Sequence, residues 1–121
     1  MSSIMRWSLD ARTPLRLAEA AAVPPGAVLL AEDGAPLPAS PAVVERFAAP
    51  PPQPHPVGCA CCQPRNPVAI ALDRLFLART RGQAPWFKEI WVVLRSADGA
   101  RALEAALDGD SVTQARFRKA D

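Results

Sequence analysis

All three cysteines and the single histidine of this chain fall within eight residues, His55-Pro56-Val57-Gly58-Cys59-Ala60-Cys61-Cys62. Thiolates are strong ligands for soft and borderline ions, which points to Zn²⁺, with Cu⁺ or Co²⁺ as other candidates. A zinc ion takes four ligands, with sulfur at about 2.3 Å. Cys59, Cys61 and Cys62 would supply three of them, and His55 or an exogenous group the fourth. An open fourth position suits metal transfer or Lewis-acid chemistry better than a closed structural site. In a regular strand Cys59 and Cys61 share a face and Cys62 points away, so one ion can meet all three sulfurs only if the backbone bends. Gly58 and the surrounding prolines permit that bend. The spacing differs from the paired C-x-x-C units of zinc ribbons and fingers. Two other readings therefore stand beside metal binding. One is a thiol redox pair, Cys59–Cys61 or the strained and labile Cys61–Cys62. The other is simple burial, since free cysteine is among the most buried residue types. His55, set between two prolines, is expected to be exposed.

Composition narrows the partners. The chain has 121 residues, half of them apolar, enough for one domain with a core. Fourteen Lys and Arg oppose twelve Asp and Glu, for a net charge of +2, and the basic residues are scattered. That argues against a nucleic-acid-binding face. No apolar run reaches the length of a membrane helix, and the opening "MSSIMRWSLDARTP" lacks the features of a secretory signal. Three crowded cysteines make a poor disulfide framework. The expectation is a soluble, cytoplasmic, single-domain protein.

The elements that must hold the cysteines can be read from pattern and punctuation. Ten of the fourteen prolines lie between residues 36 and 67 and separate an N-terminal unit from a C-terminal one, with a proline-rich internal segment at 36–57. "IMRWSL" (4–9) is predicted to be a strand. Thr13 as N-cap and Pro14 as first helical residue predict a helix over "LRLAEAAA", ended by "PPG" at 24–26. "AVLLA" (27–31) reads as a buried strand. Residues 42–48, "AVVERFA", are expected to form a turn or two of helix in an otherwise extended stretch. Asn66 and Pro67 start a helix that runs to Gly82. Its apolar stripe is 68, 71, 72 and 75, and Ile70 and Leu77 off the stripe predict cover on a second side. "EIWVVL" (89–94) is the clearest strand. Asp98 should cap the helix "GARALEAAL", and Ser111 with Gln114 forms a capping-box pattern opening a last helix over "VTQARFRKA". Alternating strands and helices predict an α/β fold with a mostly parallel sheet of about three strands flanked by helices in three layers.

The stretch "VGCACCQPRNPVAIALDRL" resembles the G-C-x-C-C segment of the CobW-type GTPase and metallochaperone family. Gly58, Cys59, Cys61 and Cys62 match it, and Arg65 falls near the arginine that comes after the motif there. The helix, the strand "FKEIWVVL" and the turn "RSADGARAL" follow in the family's order, where "D-x-V-V-I-E" and "G-x-A-D-P" stand. The likeness covers residues 57–121 and, collinearly but more weakly, 4–35, where "AVLLAEDG" occupies the place of a strand ending in N-E-x-G. It implies a degenerate P-loop NTPase-like fold and a role in metal handling.

The departures bear on nucleotide chemistry. The stretch collinear with the phosphate-binding G-x-x-x-x-G-K-[ST], "SLDARTPLRLAEA", holds neither glycine nor lysine. Leu94 and Arg95 replace a glutamate and a small residue, and no N-K-x-D segment comes after them. The reading is a metal-binding pseudo-GTPase that buffers or delivers its ion without nucleotide turnover and is not an enzyme. The competing reading is an interaction module that docks on a partner, or on a second copy, through a sheet edge. Asp98, Glu32 and Asp33 lie after strands, where ligands can bind, but a helix cap and a solvated turn are their ordinary roles. Trp7, Trp86 and Trp91 read as core or edge anchors, with Trp86 and Phe87 also candidates for a partner surface.

Overall fold

A computed structural model describes residues 10–50 and 65–120. In chain order the elements are β1 (Thr13–Leu17), a 3-10 turn (Ala20–Ala22), β2 (Val28–Glu32), β3 (Val43–Phe47), α1 (Pro67–Thr80), β4 (Ile90–Val93), α2 (Ala97–Gly109), α3 (Ser111–Arg116) and β5 (Phe117–Lys119). The five strands form one sheet in the order β3-β2-β4-β1-β5. Every pairing is parallel. The parallel α/β class is as expected, with five strands in place of about three. The strand expected at 4–9 lies outside the described residues.

The two central strands read as apolar because both of their faces are covered. All five residues of β2 are buried. Leu30 and Val28 face the helices together with Ile90 and Val92 of β4, Leu15 of β1, Phe117 of β5 and Phe47 of β3. Against them pack Val68, Ala69, Ala71, Leu72 and Leu75 of α1, and Ala102, Leu103 and Ala106 of α2. Leu29, Ala31 and Val93 point to the opposite face, where Val23, Ala27 and Ala35 from the connecting segments cover them. Among the described residues one layer is thus helical, and the other is made of connecting segments around Val23, Ala27 and Ala35.

Three segments depart from the expectation, each through tertiary pairing. "TPLRL" is strand β1, not the start of a helix. Its burial alternates as a strand's does at first: Thr13 and Leu15 are buried while Arg16 is exposed. Pro14 is tolerated because β1 pairs with β5 from Thr13 but with β4 only from Leu15, so the missing N–H falls where the strand has one neighbour. "VVERF" is strand β3, paired along its whole length with β2 from Val28↔Val43 to Glu32↔Phe47. Its two β-branched residues favour the pleated state. The last helix stops at Arg116, and Phe117, 1% exposed, enters the core as the first residue of β5.

Helix α1 begins as predicted. The Asn66 side chain accepts from the amides of Val68 at 2.7 Å and Ala69 at 3.3 Å, and Pro67 occupies the first position. Its buried residues contain the predicted stripe. Among the described residues no second covered side is seen: Ile70 is half-buried and Leu77 is 39% exposed. The other caps shift by one or two residues. Ser96, not Asp98, caps α2 by accepting from Gly99 N at 3.0 Å. Asp98 instead pairs with Arg101 in the first turn. Asp110, not Ser111, caps α3 through Thr113 N at 2.9 Å.

Leu72→Ala should cost about 2–5 kcal/mol, the range for a fully buried leucine, whereas Leu77→Ala should stay within about 1 kcal/mol. Urea unfolding with an unchanged m-value would check both.

Candidate functional site

Parallel strands bring their carboxyl ends to one edge, where α/β sheets place ligands next to points of reversed connection. Neighbouring strands β1 and β4 have onward connections that run to opposite sides of the sheet. Glu32–Gly34 after β2, Leu94–Ser96 after β4 and the first turn of α2 meet at this edge. The connection from β3 to α1, which carries the cysteines in the sequence, leaves from this edge after Phe47.

Glu32 organises the edge. It is only 3% exposed. Its Oε1 accepts from Arg95 N at 2.7 Å and Ser96 N at 3.0 Å, and its Oε2 accepts from Ser96 Oγ at 2.5 Å. Burial pushes this carboxyl up, but the Ser96 hydroxyl, the Arg95 and Ser96 amides and the Arg95 charge together outweigh burial and hold it below the ordinary glutamate value. Gly99 faces the carboxylate so closely that a Cβ there would collide with it. Arg95 in turn donates from Nε to Asp33 O at 2.9 Å and lies over Gly34, whose φ is +85°. Glu32 is therefore a buried clamp between β2 and the β4–α2 turn, not part of a solvated acidic turn. Asp33 stays exposed.

The second feature stands where the cysteine segment ends. Arg65 forks onto Asp110, with Nε to Oδ1 at 3.0 Å and Nη2 to Oδ2 at 2.8 Å. Its Nη1 donates to Asp73 of α1. The guanidinium beside Asp110 holds that carboxyl well below the usual range, and Arg116 lies 3.6 Å from Asp73. Next to it, Asn66 donates from Nδ2 to Ala102 O of α2 at 2.9 Å. Residues 65 and 66 are thus tied to α1, to α2 and to the α2–α3 junction.

Cys59, Cys61, Cys62 and His55 lie outside the described residues, as does Trp7. Among the described residues no group of three or more His, Cys, Asp or Glu side chains is placed to hold a metal. Asp98, Glu32 and Asp33 do not converge there. Trp91 is half-buried in the second face. Phe87 is buried and Trp86 is 72% exposed, with the Arg79 guanidinium 4.2 Å from the Trp86 ring centroid and 4.5 Å from that of Phe87. Sequence reasoning missed the Glu32 clamp and the partners of Arg65. The only hint of the former was an acidic residue directly after an apolar strand. No helix among the described residues is long and apolar enough to cross a membrane. No protein-family model, curated protein or solved structure matches the chain.

Gly99→Ala should cost more than an ordinary helical Gly→Ala gains, because the new methyl must displace the Glu32 carboxylate; a lower urea midpoint would register it. Glu32 stabilises the fold above the unfolded glutamate value, about 4.3, and that stability is lost as pH falls toward its depressed folded value. Between about pH 5 and 3 the wild type should therefore lose stability faster than Glu32→Gln, read as the converging urea midpoints of the two proteins.

Proposed function

We propose that this chain is a small metal-binding protein, a pseudo-GTPase relative of the CobW type that buffers or delivers its ion in the cytoplasm without turning over nucleotide. The observation that carries the reading is the Gly58-Cys59-x-Cys61-Cys62 sequence, which stands in the connection that leaves β3 at the carboxyl edge of a parallel sheet. Three thiolates and an imidazole match the donor set that Zn²⁺ prefers, and thiolates alone suit Cu⁺. Cys59, Cys61 and Cys62 would hold the ion, with His55 or a donor from the receiving protein in the fourth position. Transfer is then ligand exchange: thiolates bind as protons leave, and an acceptor's ligands replace them one at a time. Loss of nucleotide chemistry is supported by the segment after β1. The chain there is Ala18-Glu19 and a 3-10 turn of three alanines, with no glycine before Gly26 and no lysine. It lacks both the close-approach glycines and the phosphate-binding lysine that a P-loop needs.

A second reading, a docking module in which the cysteines are structural or redox groups, draws on the edge strands β3 and β5, each paired on one side only among the described residues.

Elemental analysis of tag-free protein purified under reducing conditions should find about one ion per chain, absent from a Cys59/Cys61/Cys62→Ser variant. Guanine nucleotide should leave the melting temperature unchanged. Protein that stays metal-free after Zn²⁺ and Cu⁺ are offered would sink the metal reading and favour the docking module.

A further inference from the structure

We propose that Trp86 and Trp91 form the floor of a docking groove for an extended peptide of a partner protein, rich in proline and in acidic residues. The inference stands apart from the metal-binding reading and from the edge strands. Trp86 is 72% exposed, yet its ring is held. The Arg79 guanidinium lies 4.2 Å from the ring centroid, and Arg79 Nη1 in turn donates to Phe87 O at 2.9 Å. A guanidinium stacked on an indole fixes its plane. An aromatic side chain held in advance loses little freedom when a partner packs on it. Trp86 borders a cavity of about 280 Å³ together with Pro24, Pro25, Pro85, Phe87 and Trp91. Trp91 also borders a second cavity, of about 340 Å³, together with Arg16, Leu17 and Lys119. Arg16 and Trp91 are register partners on parallel strands β1 and β4, so their side chains share one face of the sheet. The two cavities therefore meet at the Trp91 indole, and a trough of that form suits an extended occupant better than a compact one. Its wall of indole, phenyl and proline rings is the kind of surface on which polyproline II segments dock. An indole N–H only donates, and a proline-rich chain offers carbonyls with few N–H groups of its own. Charge supplies the second selection. The charged residues along the trough are Arg16, Lys88 and Lys119 against Glu89, an excess of cations that the whole chain, at fourteen to twelve, does not share. Glu89 is taken up by Arg16 at 2.5 Å and Lys119 by Glu104 at 2.5 Å. Lys88, exposed at the rim, is the cation placed to meet a carboxylate of the peptide.

The test uses the full chain and fluorescently labelled peptides (Pro-Pro-Glu)₃, (Pro-Pro-Lys)₃ and (Gly-Ser-Glu)₃. The first is about 28 Å long as a polyproline II helix, at about 3.1 Å per residue. Binding is read by fluorescence anisotropy for wild type, Trp86→Ala and Lys88→Glu, with the urea midpoint and sedimentation of each protein alongside. Wild type should bind (Pro-Pro-Glu)₃, with a blue shift of its tryptophan emission, and the other two peptides about tenfold more weakly or less. Trp86→Ala should weaken the first peptide about tenfold or more, the range for truncating an aromatic anchor. Lys88→Glu should weaken it about threefold and flatten its salt dependence, as loss of a rim charge does. Neither substitution should move the midpoint much. Equal affinity for (Pro-Pro-Lys)₃ or (Gly-Ser-Glu)₃ would overturn this choice of occupant. Unchanged affinity in folded Trp86→Ala would overturn the groove itself. Should Trp86→Ala lose its fold, Lys88→Glu decides alone, and unchanged binding there overturns the proposal. A wild type that binds none of the peptides overturns it as well, and self-association abolished by Trp86→Ala would give the groove to a second copy of this chain instead.

Discussion

The carboxyl edge of this sheet depends on one buried carboxylate. Glu32 closes β2 and, with three hydrogen bonds, takes up the amides of Arg95 and Ser96 and the Ser96 hydroxyl. An ionised group in that place is tolerated only because its oxygens are met by donors. Once it is there, the geometry around it is constrained. Ser96 is oriented to cap α2, Gly99 must be without a side chain, and Arg95 is drawn toward Asp33 and Gly34. A single side chain thus joins the end of one central strand to the turn of the other and to the first turn of a helix.

A second polar network serves the other helix start. Asn66 and Arg65 bind α1 to α2 and to the α2–α3 junction through both neutral and charged contacts. The two networks divide the work. Glu32 is almost fully buried and contributes to folding. Arg65 is more open to water, where an ion pair adds little to global stability. Together they tie the turns after β2 and β4 to α2, and α2 to the start of α1.

Among the described residues the second face of the sheet has the thinner cover: Val23, Ala27 and Ala35 pack with Leu29, Ala31 and Val93, and a 3-10 turn stands where the sequence pattern predicts a helix over residues 14–22. Pro24, Pro25 and Gly26 end the turn after a single 3-10 stretch. The alanines of this segment have high helix propensity, but three of them cannot nucleate a stable helix between a paired strand and two prolines.

What the sequence determined by itself is local and strongly signalled. The Asn66–Pro67 start of α1 and its buried stripe, the apolar runs of β2 and β4, and the α/β class needed no partner to be recognised, because capping chemistry and continuous hydrophobicity act over a few residues. The cysteine motif is likewise a feature of the sequence alone, and its residues lie outside those described. The tertiary structure decided the rest. Thr13–Leu17, Val43–Phe47 and Phe117–Lys119 are strands because β2, β4 and β1 offer them parallel partners, and parallel pairing joins residues too far apart for any short window to contain. The same separation hid the polar networks: Glu32 meets residues 63 and 64 positions away, and Arg65 meets one 45 away. A hydrogen bond depends on distance in space, and only the folded sheet brings those donors and acceptors together.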